Sequence, residues 1–120
     1  MREPLVDPAV LDRLARDIGR KAAQEFAERY RTAVVERLAA LRTAVAERHL
    51  DQAHNLLINI DGASRMLGAR RLALAAGRLA DRLREDHPPT PEDLSELSRL
   101  VSLTDAELAR VLGGREGGSS

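Results

Sequence analysis

The run Leu57-Ile58-Asn59-Ile60-Asp61-Gly62-Ala63-Ser64-Arg65-Met66-Leu67-Gly68-Ala69 decides how this chain folds. With Leu50 and Ala53 before it, the residues Leu57, Ile60, Ser64 and Leu67 recur at three- and four-residue steps, the apolar stripe of an amphipathic helix over about Leu50 to Leu67 that Gly68 interrupts. At about 100° per residue the inward set centres between Leu57 and Ile60, which turns Ile58 about 150° away from it. His54, Asn55, Gly62 and Arg65 share that outer sector, with Asp61 on its flank. Two residues there need a reason. Ile58 is apolar on an otherwise polar face, and Gly62 in mid-helix costs roughly 1 kcal/mol relative to alanine.

The same periodicity extends outward on both sides. Asp7 before Pro8 reads as an N-cap followed by proline at the first helical position, opening a short helix to about Ile18 with Val10, Leu11, Leu14 and Ile18 on one side. From Lys21 to about Arg48 a long helix carries Phe26, Tyr30, Val34, Leu38, Leu41 and Val45, and His49 marks the turn after it. Beyond Gly68 a helix from Ala69 to about Glu85 carries Leu72, Ala75, Ala76, Leu79 and Leu83. His87-Pro88-Pro89 stops it, because proline cannot donate into a helix and pushes its predecessor out of helical geometry. Thr90-Pro91-Glu92-Asp93 restarts the chain with a cap, a first-turn proline and two acids suited to a positive helix end. The last helix carries Leu94, Leu97, Leu100, Val101, Leu108, Val111 and Leu112, with a potential break at Thr104-Asp105-Ala106-Glu107 and an end at Gly113-Gly114.

No strand signal competes with these helices. Joined by short loops, they must bury their stripes against one another, which predicts an all-α, up-and-down four-helix bundle with a short extra N-terminal helix laid across it. At 120 residues this is one domain, expected over 1–114, with 115–120 as a disordered tail. The core must be aliphatic, since Phe26 and Tyr30 are the only aromatics. Nineteen basic residues, all arginine except Lys21, balance 19 acidic ones, so there is no electrostatic case for nucleic acid or an anionic membrane. The lack of cysteine excludes disulfides, thiolate metal sites and a thiol nucleophile. No apolar run approaches bilayer length and Met1-Arg2-Glu3-Pro4 lacks a signal-peptide core, so a cytoplasmic location is expected; a monomer is expected as a separate reading.

The opening run resembles, without gaps, the signature of histidine-containing phosphotransfer (HPt) domains, roughly Ala-His-x-Leu-Lys-Gly-Ser-x-x-x-Leu-Gly-Ala. Leu57 falls on the Ala, Ile60 on the Leu, Gly62 on the first Gly, Ala63 and Ser64 on the small residues, and Leu67-Gly68-Ala69 on the closing triplet. The likeness extends from about Asp12 to Leu112 and is strongest over Leu50 to Leu83. It implies a helical bundle that meets response-regulator receiver domains and sensor histidine kinases. However, Ile58 stands at the phosphoacceptor histidine and Asp61 at the lysine. Isoleucine offers no lone pair to a phosphoryl group, and an acid reverses the charge that would neutralise one.

The resemblance therefore implies a pseudo-HPt protein, not an enzyme. It would bind a receiver, or compete with a true HPt, through His54, Asn55, Ile58, Asp61, Gly62 and Arg65 without carrying phosphate. Gly62 would leave room for the receiver to approach. Two other readings stand beside this one. His54, one turn before Ile58, is the alternative phosphoacceptor, at the cost of shifting the docked receiver by about 6 Å. A structural dimerisation or scaffold module is the third. Taken singly, Ile58 can be an ordinary exposed apolar residue, and Asp61 a solvated acid paired with Arg65 at i+4. His49 and His54 are five apart and His87 lies in a distant loop, so no metal site or other cofactor is expected. Arg70, Arg71, Arg82 and Arg84 read as solvated faces that could fringe the receiver surface.

Overall fold

The computed structural model describes the backbone of residues 4–117 and side chains as far as Leu112. Five helices follow in order: α1 (Pro8–Ile18), α2 (Arg20–Ala46), α3 (Leu50–Met66), α4 (Arg70–Arg84) and α5 (Pro91–Gly117), with no strand among the described residues. Helix α2 packs on α3, α3 on α4, α4 on α5, and α5 returns to α2, while α1 lies against α2. The α3–α4 contact is the most extensive.

Local chemistry sets the helix ends. Asp7 caps α1 by accepting from the Ala9 N–H (3.0 Å). Thr90 and Asp93 form a reciprocal box at the start of α5, in which the Thr90 N–H donates to Asp93 Oδ2 (2.9 Å) and the Asp93 N–H to Thr90 Oγ1 (3.1 Å). These bonds hold the Asp93 carboxyl below its usual range, with help from Arg82. Helices α2, α3 and α4 all end in the same way. The second N–H beyond the cap donates five residues back, as from His49 to Ala44, Ala69 to Ser64 and His87 to Arg82. The residue in the left-handed conformation is Gly68 after α3, but Arg48 (φ 60°) after α2 and Asp86 (φ 64°) after α4.

Gly68 is needed twice. Its φ is +78°, and a Cβ there would come within 3.0 Å of the Asp7 carbonyl and the Val10 Cβ. The Asp7 N–H also donates to the Gly68 carbonyl (2.9 Å), so the N-terminal segment is tied to the α3–α4 turn.

The core is built from leucine and alanine. Leu41, Leu57, Ile60, Leu67, Leu72, Leu97 and Leu108 are fully buried, and Ala27, Ala44, Ala53, Ala69, Ala73, Ala76 and Ala80 lie where helices touch. One buried polar pair joins α2 to α3, the Tyr30 hydroxyl and Ser64 Oγ at 2.7 Å. Ion pairs between Arg31 and Asp105 (2.7 Å) and between Arg82 and Asp93 (3.3 Å) tie α2 and α4 to α5.

Several boundaries and faces differ from the sequence reading. Helix α2 ends at Ala46 rather than near Arg48, because Arg48 takes the left-handed turn. Helix α5 passes through Thr104 without a break and carries on past Gly113-Gly114 to Gly117, since glycine weakens a helix without removing its N–H donors. Residues 118–120 of the expected tail lie outside the described residues. Ile18 ends α1 and is exposed rather than inward. Thr104, expected at a break, is instead fully buried in α5.

Candidate functional site

The outer face of α3 is set by what its inner face buries. Ala53, Leu57, Ile60 and Ser64 point into the core, so residues half a turn away must face out. Ile58 is 43% exposed at the middle of the helix. Asn55, Gly62 and Arg65 are exposed beside it, and His54 and Asp61 are half-buried at its margins. All six residues expected on this face are on it. A seventh, Met66, is 53% exposed and lies four residues beyond Gly62. The Ile58, Gly62, Met66 spacing of four places these residues along one side of the helix.

Gly62 has no reason within the fold. A Cβ built there meets nothing within 4 Å. By contrast, a Cβ on Gly77 of α4 would lie 3.0 Å from Asp61 Oδ2, so the Asp61 carboxylate leans onto α4 at a place left open by glycine. Its other oxygen accepts from Arg65 Nε at 2.6 Å, the i+4 pairing expected from the sequence. The Asp61 side chain is only 19% exposed and that of Arg65 is 54% exposed.

At the other end of the face, Arg84 Nε donates to His54 Nε2 at 3.1 Å across the α3–α4 contact. The two flank an open cleft of about 650 Å³, with Asp51, Asn55 and Asp86 around them. The Nε2 lone pair of His54 is thus engaged by a guanidinium. The other histidines are not on the face. His49 precedes α3, with Nδ1 3.7 Å from Glu47, and His87 is exposed in the turn after α4.

Among the described residues no three His, Asp or Glu side chains are grouped to hold a metal ion, and no helix is long and apolar enough to cross a membrane. Other exposed large apolar side chains among the described residues are Ile18 on α1, Val35 on α2 and Leu103 on α5, one to each helix. Of the four arginines read as solvated faces, Arg82 and Arg84 each reach a neighbouring helix or turn. The signals for Met66 and Gly77 were present in the sequence, one as spacing from Ile58 and the other as a second mid-helix glycine.

No curated protein and no solved structure matched the chain. The family model described as Hpt domain matches residues 25–112, which run from the second turn of α2 to the last described side chain of α5. Hpt domains are the phosphotransfer modules of phosphorelays and meet receiver domains and kinases there. With the match covering most of the chain, and with α3 carrying the signature run, the chain belongs to the Hpt domain family.

Proposed function

We propose that the protein is a non-catalytic Hpt protein that docks on a response-regulator receiver domain, or competes with a true Hpt for one, without carrying phosphate. In this reading α2–α5 form the family's up-and-down bundle as one domain over residues 1–114, monomeric and cytoplasmic. The docking face is His54, Asn55, Ile58, Asp61, Gly62 and Arg65, extended by Met66. One observation carries it: residue 58, which the resemblance aligns with the family's phosphoacceptor histidine, is an isoleucine that faces outward. Gly62 supports it, because a mid-helix glycine with open space before it serves nothing inside this bundle.

The test is to mix the labelled protein with cognate receivers and follow amide shifts. Changes centred on Ile58 and Gly62, with no phosphoryl label acquired from a phosphorylated receiver, are expected. Shifts confined to other faces would refute the docking face.

A second reading draws on the His54–Arg84 contact. A histidine on the same face with a guanidinium beside it has the parts of a phosphoacceptor and its neutralising charge, displaced by one turn. Label that appears on the wild type and disappears in His54→Ala would establish it in place of the first.

A further inference from the structure

The charge that α3 shows a partner is not the one its sequence suggests. Asp61 stands where the family has a lysine, which implies an acidic docking face. Yet its carboxylate leans toward α4, with Oδ2 over Gly77 and Oδ1 bonded to Arg65. The exposed member of the pair is Arg65. Seven residues from Ile58, Arg65 lies within about 20° of it around the helix and about 10.5 Å further along. Its guanidinium is fixed through Nε, which leaves the terminal N–H groups as the donors for a partner.

We propose that Arg65 is the specificity-determining cation of the docking face, and that Asp61, seated against Gly77, is its positioning residue. This rests on the docking function proposed above and deepens it. The basic character that the Asp61 substitution removes is restored four residues later by Arg65. The preferred partner surface therefore has an apolar spot to meet Ile58 and an acidic rim about two helical turns away to meet Arg65. Gly77 contributes through space alone. Any side chain there pushes against Asp61 and loosens the geometry that aims Arg65.

Affinity for a cognate receiver, measured at low and at high salt, tests the proposal in the full-length protein. Arg65→Glu is expected to weaken binding by about tenfold or more and to reverse the salt dependence that Arg65 contributes, with Arg65→Lys retaining most of both the affinity and its wild-type salt dependence. Gly77→Ala changes no charge and improves helix propensity, so it should raise the thermal midpoint while weakening binding several-fold. The Arg65 Nε–H, bonded to Asp61 in the wild type, should exchange faster in both Gly77→Ala and Asp61→Asn. If Arg65→Glu binds like the wild type while Ile58→Asp abolishes binding, docking stands and the role of Arg65 falls. If Ile58→Asp is also without effect, the docking face itself is refuted and this proposal with it.

Discussion

An isoleucine 43% exposed at the centre of α3 offers a partner a branched hydrocarbon and no lone pair. Because Ile58 is not part of the core, replacing it should leave the fold intact. Ile58→His combined with Asp61→Lys is expected to cost under about 1 kcal/mol, since surface changes are small and the lost Asp61–Arg65 pair is exposed on one side. The double variant should take phosphoryl label from a phosphorylated receiver where the wild type takes none. Failure to label would mean that residue 58 is out of register with the acceptor slot. Gly62 separates stability from binding. With nothing within 4 Å of an added Cβ, Gly62→Ala should stabilise the protein by about 1 kcal/mol in urea. Any loss of receiver affinity that accompanies this gain comes from the partner's side, because no atom of this chain is displaced.

The three helix C-termini share one hydrogen-bond pattern but not one residue type, which explains why some ends were legible in sequence and others were not. Gly68 announces its turn, because glycine enters the left-handed region without steric cost, and the end of α3 was read within a residue. Arg48 adopts the same conformation with a long side chain, so the sequence marked the turn only through His49 and placed the end of α2 two residues late. Arg48→Gly should therefore relieve a left-handed penalty of about 1–2 kcal/mol, less the entropy glycine gains in the unfolded chain, for a net gain of up to about 1 kcal/mol. The opposite exchange at Gly68 combines left-handed strain with a clash against Asp7 and Val10, so Gly68→Ala should destabilise by about 2 kcal/mol or more. Urea midpoints at constant m-value check both. Opposite signs are required; a destabilising Arg48→Gly would show that its side chain contributes more than its backbone conformation costs. The outer face of α3 was legible for a different reason, since a half-turn displacement from four buried positions leaves little freedom. The pairing of Asp61 with Arg65 was legible too, but the lean of its carboxylate onto α4 was not, because that depends on Gly77 in another helix.

At the scale of the whole molecule, the sequence showed which stripes are apolar but placed the larger side chains at their centres. In α2 the buried line runs through Ala23, Ala27, Tyr30, Val34, Leu38, Leu41 and Ala44, so Phe26 and Val45 sit at its edges. Alanine carries little hydrophobic weight in a pattern, yet it is what lets two helix backbones come close. Tyr30 belongs to that line, and its hydroxyl is the group whose burial has a measurable consequence for stability. Removal from water, only partly offset by the hydrogen bond with Ser64, pushes its pKa from 10.0 up to about 12. A proton held more tightly in the folded state contributes stability that is complete below about pH 10 and is lost as pH rises toward 12, by roughly 2–3 kcal/mol in all. The composition makes the effect readable. The chain has one tyrosine, one lysine and no cysteine, and arginine stays protonated throughout this range. Urea midpoints taken from pH 9 to pH 12 should fall for the wild type, with tyrosinate absorbance appearing only as the protein unfolds. Tyr30→Phe should cost about 1 kcal/mol or more at neutral pH, because Ser64 Oγ loses its partner in the core, but should show a much flatter alkaline profile. The two profiles are expected to meet between about pH 10.5 and 12, where the wild-type loss equals the neutral-pH difference; if they run parallel instead, ionisation of Tyr30 is not what limits the bundle in alkali.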